Sequence, residues 1–336
     1  MVKLSILDQS PISTGQTAQE ALQASVRLAQ LGEDLGYERF WIAEHHDLFG
    51  LACPNPDVML GVIGSQTEKI RIGAGAVLLP YYKPFRVAET YNLLATLFPN
   101  RIDLGIGRAP GGSAEVSLAL SDNYLTQVNR YSELIDELHH FLHQSFPQDS
   151  TFAKVKPTPV PDTPPKTWML GTSKRSSKLA LEKKMAYAFG HFMTDFDGVE
   201  IVRHYRKQYE KRYNERAEVI VAVHAICAET EAQADELAKS TLAWSLLQEK
   251  AHEQLTIPSL EEVRSFKWTE EEQVKMTKQK ETMIIGNPEE VAEELHQLAK
   301  DYDADELMLV TITHEASDKR KSYELIKNAW DSMYGA

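Results

Sequence analysis

Four groups of residues carry the types and spacing needed for chemistry on a bound organic ligand. Glu44-His45-His46 sets a carboxylate beside two imidazoles. An imidazole titrates near neutrality, so it can move a proton or support a developing oxyanion. The alternatives are a satisfied hydrogen-bonding pair and a metal site. Adjacent histidines diverge, so a metal would need further ligands, with Asp8 and His191 as candidates. Gly73-Ala74-Gly75-Ala76 holds almost no side-chain volume. It serves either tight packing or the close approach of something flat to the backbone. Gly105-x-Gly107-x-x-Pro110 fails as a dinucleotide fingerprint, because proline stands where the third glycine belongs and no helix plainly begins there. Arg108, between those residues, suits a phosphate or a carbonyl edge, or else pairs with a carboxylate. Thr172-Ser173-x-x-Ser176 opens a helix, where a hydroxyl caps and free N–H groups attract phosphate.

These residues matter together only if the fold gathers them. Apolar, β-branched runs predict strands at Leu4–Leu7, Phe40–Ala43, Ile70–Leu79, Arg101–Gly107, Thr167–Leu170, Tyr187–Phe189, Val219–Cys227 and Glu306–Thr311. Helical patterns follow them. Thr17 with Glu20, and Thr230 with Gln233, form capping boxes, and Asn287-Pro288-Glu289-Glu290 starts a helix with cap, proline and acidic turn. Eight strands, each followed by a helix, predict an α/β fold of the (β/α)8 TIM barrel type, with a doubly wound sheet as the alternative. A charged segment at about 248–282 reads as an insertion before the last strand, within a single domain spanning 1–336. In a barrel, the residues just after each strand form the active face. After the first strand come Asp8-Gln9-Ser10-Pro11, and the four groups above lie at the ends of the second to fifth strands.

Composition narrows the partners. The 336 residues include 36 Lys+Arg and 49 Asp+Glu, a net charge of −13. That balance argues against a phosphate-backbone binder but allows one local anion pocket. Cys53 and Cys227 cannot build a disulfide framework or a four-thiolate metal site. The start has no apolar signal segment and no run is long enough to cross a bilayer, so a cytoplasmic protein is expected, without membrane or nucleic-acid partner. A flat ligand with a phosphate tail, such as flavin mononucleotide, fits all four groups.

At Trp41–His46, Gly73–Pro80, Arg101–Gly111, and Ile285–Glu289 with Ala304–Leu307, the chain resembles the luciferase-like, flavin-dependent monooxygenase superfamily. Within it, the nearest likeness is to the bacterial alkanal-monooxygenase-like group. The resemblance implies a TIM barrel that binds reduced FMN, supplied by a separate NAD(P)H:flavin reductase. It implies oxidation of an aldehyde or similar small substrate by O2 through a C4a-peroxyflavin. His45 takes the catalytic position, with Glu44 and His46 as its neighbours. A cis Gly75–Ala76 peptide would lie under the flavin, Arg108 near its phosphate, and Thr172, Ser173 and Ser176 in the phosphate loop. No metal is implied. A homodimer through early helices is implied too, and the small stripe Ala18, Ala21, Ser25, Ala29 and Gly32 would permit it. Gly107 stands where light-emitting relatives carry cysteine, which speaks against luminescence. The alternatives are a deazaflavin-dependent hydride-transfer enzyme and a non-catalytic flavin-binding protein.

Overall fold

A computed structural model describes residues 1–194, 196, 198–250 and 255–335. Strands β1 (Lys3–Asp8), β2 (Arg39–Ile42), β3 (Arg71–Leu78), β4 (Ile102–Gly107), β5 (Lys166–Gly171), β6 (Ala186–Gly190) and β7 (Val219–Cys227) pair side by side in chain order, all parallel. β8 (Ile284–Gly286) pairs with the far end of β7, and β9 (Glu306–Val310) lies between β7 and β1 and closes the ring. The closed parallel barrel is the predicted one, and β9 is its eighth member. β8 is the unforeseen strand: three residues are too short to show a period.

Closure sorts side chains by the two-residue period of a strand. Leu4 and Ile6 of β1 point outward, into the apolar layer under the helices. Leu7 points inward, with Trp41, Trp168, Ile220 and Met308. Helix α1 (Ala18–Asp34) begins at the Thr17–Glu20 capping box and ends before Gly36, which has φ +78°. Its small stripe does not face a partner. Ala21, Ser25, Ala29 and Gly32 are buried, and a Cβ on Gly32 would stand 2.9 Å from Ile6 Cδ1, so the stripe packs on its own barrel. Exposed aliphatic residues lie on α2 (Pro56–Ser65), at Val58 and Val62, and on α3 (Pro84–Leu97), at Leu93 and Leu97, as well as at Leu118, Leu125 and Val274 elsewhere.

Between β4 and β5 the chain forms α4 (Ala114–Leu120), α5 (Tyr124–Asn129) and α6 (Tyr131–His143), of which the sequence showed only the last. Then come α7 (Lys174–Glu182), α8 (Val199–Tyr213) and α9 (Glu231–Lys250). The charged segment holds α10 (Leu260–Ser265) and α11 (Glu270–Lys280), which pack on α9; its residues 251–254 lie outside the described residues. α12 (Pro288–Tyr302) and α13 (Ala316–Tyr334) flank β9. The segment does more than cover one side. Ile257 donates its N–H to Ile12 (2.8 Å) and accepts from Thr14 (2.9 Å). Its side chain joins the barrel-interior cluster beside Trp244, whose Nε1 donates to the Leu255 carbonyl at 3.1 Å. Leu255–Ile257 therefore stoppers the barrel mouth beside the chain that follows β1. Among the described residues, no helix is long and apolar enough to cross a membrane.

Candidate active site

A cavity of about 700 Å³ opens at the C-terminal end of the strands. That volume is in the range of cofactor and substrate sites. Glu44, His45, Gly75, Ala76, Arg108, Thr172, Ser173 and Ser176 all line it. His46 does not.

The imidazole pair therefore divides its work. His46 turns away from the cavity, and its Nε2 lies 2.8 Å from Glu44 Oε1. Glu44 Oε1 also accepts from the Tyr82 hydroxyl at 2.7 Å, and Oε2 from the Leu78 N–H at 3.1 Å. Every polar atom of that carboxylate is engaged. Glu44 and His46 thus tie the end of β2 to the end of β3. His45 is left facing the cavity, anchored by its N–H on the Cys53 carbonyl at 3.1 Å. Its Nδ1 is buried without a hydrogen-bond partner. Burial, with the neighbouring His46 ring adding to it, pushes the His45 pKa down to about 4. At neutral pH the ring is uncharged, with one donor and one acceptor nitrogen. Asp8 and His191 do not join it: Asp8 is paired with Lys319, and His191 Nδ1 lies 2.9 Å from the Tyr302 hydroxyl.

The glycines of β3 and β4 split in the same way. A Cβ on Gly105 would come within 2.2 Å of the Ala74 carbonyl oxygen, and one on Gly73 within 2.7 Å of Asp103, so these two serve strand packing. Gly75 and Gly107 line the cavity, and the Gly75–Ala76 peptide is cis. With Ala76, they make a wall almost free of side chains. The packing reading of the small-residue run holds at Gly73, and Gly75 and Ala76 face open volume.

The opposite wall is built for an anion. Ser173 caps α7; its Oγ accepts from the Ser176 N–H at 3.2 Å, and Ser176 Oγ accepts from the Ser173 N–H at 3.1 Å. Ser176 Oγ also lies 3.0 Å from the Tyr187 hydroxyl. The capping box leaves the N–H groups of Lys174 and Arg175 unbonded among the described residues, as a helix start must. The dipole there favours negative charge. Arg108, directly after Gly107 of β4, also lines the cavity, and no carboxylate among the described residues pairs with it. A flat wall, an uncommitted guanidinium and a helix N-terminus in one cavity fit an isoalloxazine ring with a phosphate tail.

Residues 2–304 match a family described as luciferase-like monooxygenase. The chain belongs to that family. It is 34% identical over 331 residues to the N-acetyl-S-alkylcysteine monooxygenase of Bacillus subtilis, covering 98% of each protein. The structure of apo-MsnO8 is similar, with a TM-score of 0.85 at 29% identity over 98% of this chain and 99% of that one. The oxygenating constituent of the 3,6-diketocamphane monooxygenase of Pseudomonas putida, solved with FMN, shares the fold, with a TM-score of 0.72 at 15% identity over 98% and 97% of the chains.

In this luciferase-like monooxygenase, Arg175 and Gln9 are among the cavity residues that the sequence reading did not single out for a role. Arg175 reaches the cavity from the first turn of α7, and Gln9 from the end of β1. Arg175 sits in a polar, charged stretch that reads as a solvated helix face. Gln9 carried a usable signal: it falls two residues after Leu7, so it shares the inward parity of the strand.

Proposed function

We propose that this chain is the oxygenase of a two-component system. It takes reduced FMN from a separate NAD(P)H:flavin reductase and uses O2 to oxidise a small organic substrate. The observation that carries this reading is the cavity itself, where a wall without side chains faces an unpaired Arg108 and the α7 N-terminus. Support comes from the family, whose structural neighbour above is an oxygenating constituent holding FMN.

Bound reduced FMN would supply two electrons and the ring carbon that reacts with O2. The chain's own residues do the rest. Gly75, Ala76 and Gly107 let the ring lie against backbone. Arg108, Thr172, Ser173, Ser176 and the Lys174 and Arg175 N–H groups hold the phosphate. His45 holds or moves one proton at its ring nitrogen, in a neutral ring that needs no charge to be buried. Glu44 and His46 position His45 without touching the ligand. Leu7, Trp41, Ala222 and Met308 keep water from the reacting atoms. The exposed Val58, Val62, Leu93 and Leu97 favour two copies meeting through α2 and α3, in the cytoplasm.

Anaerobic titration with photoreduced FMN, followed by O2, tests the reading. Tight binding and a transient absorbance distinct from free reduced and oxidised FMN are expected. Binding without a transient would instead indicate hydride transfer or flavin storage, and preference for a deazaflavin would overturn the cofactor assignment.

A further inference from the structure

The charged groups of the cavity lie on one side. Arg108 follows β4, and Arg175, Lys178 and Glu182 come from α7. The other side is built by β1, β2, β7 and β9. It presents Leu7, Trp41, Ala43, Ala222 and Met308. Glu44 also lies there, but its oxygens are already bonded to His46, Tyr82 and Leu78. Two polar side chains remain on this inner side, and both are uncommitted. One is His45. The other is Gln9, half-buried, whose carboxamide neither donates nor accepts a hydrogen bond among the described residues.

Gln9 is held by the chain on both sides of it. The Asp8 carbonyl accepts from the Ala43 N–H at 3.0 Å, and the Ser10 carbonyl from the Ala52 N–H at 2.9 Å. Those bonds fix the backbone level with the end of β2, which carries His45. A carboxamide offers a donor and an acceptor side by side. An apolar cavity makes each of them expensive to leave unbonded.

We propose that the inner half of the cavity is the substrate chamber, that it takes an uncharged, mainly apolar molecule carrying a cis amide, as a lactam does, and that Gln9 is the residue that selects it. The amide carbonyl accepts from the Gln9 NH2 group, and the amide N–H donates to the Gln9 carbonyl; a cis amide sets both groups on one edge, as this pairing requires. A ketone of the same shape uses only the NH2 half and strands the Gln9 oxygen. A carboxylate finds no counter-ion on this wall, where Glu44 repels it, and is excluded by the cost of desolvation. The proposal rests on the flavin reading, which assigns the outer half to the cofactor.

The test uses the full chain loaded with FMN and three isosteric probes: ε-caprolactam, ε-caprolactone and cycloheptanone. Affinities are measured by calorimetry for the wild type, Gln9→Leu and Gln9→Glu. FMN affinity and the melting temperature serve as the folding controls. The ratio of amide to ketone affinity is expected to fall by about tenfold or more in Gln9→Leu, as the coupling of two contacting groups predicts. The ester should behave as the ketone does. Gln9→Glu, which keeps the shape but loses the donor, should lose amide affinity as well. An unchanged ratio in Gln9→Leu, or a wild type that binds none of the three, overturns the proposal. Failure of the wild type to bind FMN at all would strike the flavin reading instead, so the two failures are distinct.

Discussion

The two ends of the barrel interior hold polar groups in opposite conditions. At the N-terminal end, Arg39 is enclosed and fully paired. Its Nε and one terminal nitrogen donate to Glu306 at 2.7 and 2.9 Å, and the other donates to Asp103 at 2.6 Å. Asp103 also accepts from Arg71 at 2.6 Å and from Trp41 Nε1 at 3.2 Å, and Ser5 donates to Glu306. At the C-terminal end, His45 Nδ1 and the side chains of Gln9 and Arg108 have no hydrogen-bond or ion-pair partner among the described residues, and all three residues line the cavity. One end spends its polar groups on the fold. The other leaves three of them open to the cavity. The lesson is that an unsatisfied polar group in a barrel is informative when its neighbours are themselves firmly held.

Breaking the closed end should have the largest effect on stability. Arg39→Met strands Asp103 and Glu306 in the interior. A loss of about 3–5 kcal/mol is expected, read by denaturant unfolding. A loss below about 1 kcal/mol would show that the network is not the plug described here.

The open end should behave the other way round. His45→Asn removes a buried polar atom that has no partner, so stability should change little. Turnover should fall by about 10²–10⁴-fold, the usual worth of a positioned acid or base. Equal turnover and equal coupling of flavin oxidation to product would remove His45 from the role proposed for it.

A milder effect separates the two halves of the cavity. Arg108→Ala should weaken FMN by about tenfold to a hundredfold, the worth of a charged hydrogen bond. Riboflavin, which lacks the phosphate, should bind nearly as before. Fluorescence titration with both flavins reads the difference, and a parallel loss for the two would place Arg108 on the ring rather than on the phosphate.

The smallest contrast lies in the pH dependence. Burial lowers the His45 pKa, so the unfolded chain takes up its proton first. The stability that His45 contributes is full above the unfolded value of about 6.5 and drains away as pH falls toward about 4. Asp103 acts lower. Burial would raise its pKa, but Arg39 and Arg71 hold it below the ordinary carboxylate range. Its contribution is full above that range, about pH 4, and is lost only as pH falls through the depressed value. Unfolding free energies measured from pH 8 to 3 should show both windows. His45→Asn should shrink the upper one, to which the buried His139 and His224, also pushed down to about 4 by burial, contribute as well, and leave the lower.

Local signals carried much of the fold and part of the site. The capping box at Thr17, the proline-opened helices at Pro56 and Pro288, and the β-branched runs of β3 and β7 are settled by neighbours in the chain, so they were legible. So was the small-residue run at Gly73–Ala76. The direction each residue faces was not. Gly73 and Gly75 look alike in sequence, yet only Gly75 lines the cavity.

What the sequence determined by itself was the order and period of the elements, hence a closed parallel barrel, and the residue types gathered at its strand ends. Those follow from backbone sterics, capping and hydrophobic period, which act within a few residues. Tertiary structure alone decided that His45 faces the cavity while His46 backs Glu44, that the stripe on α1 packs inward, that Leu255–Ile257 stoppers the mouth, and that Gln9 is left unpaired. Each of these depends on which distant side chain occupies the remaining hydrogen bond or the adjoining volume. That is fixed only when the ring closes.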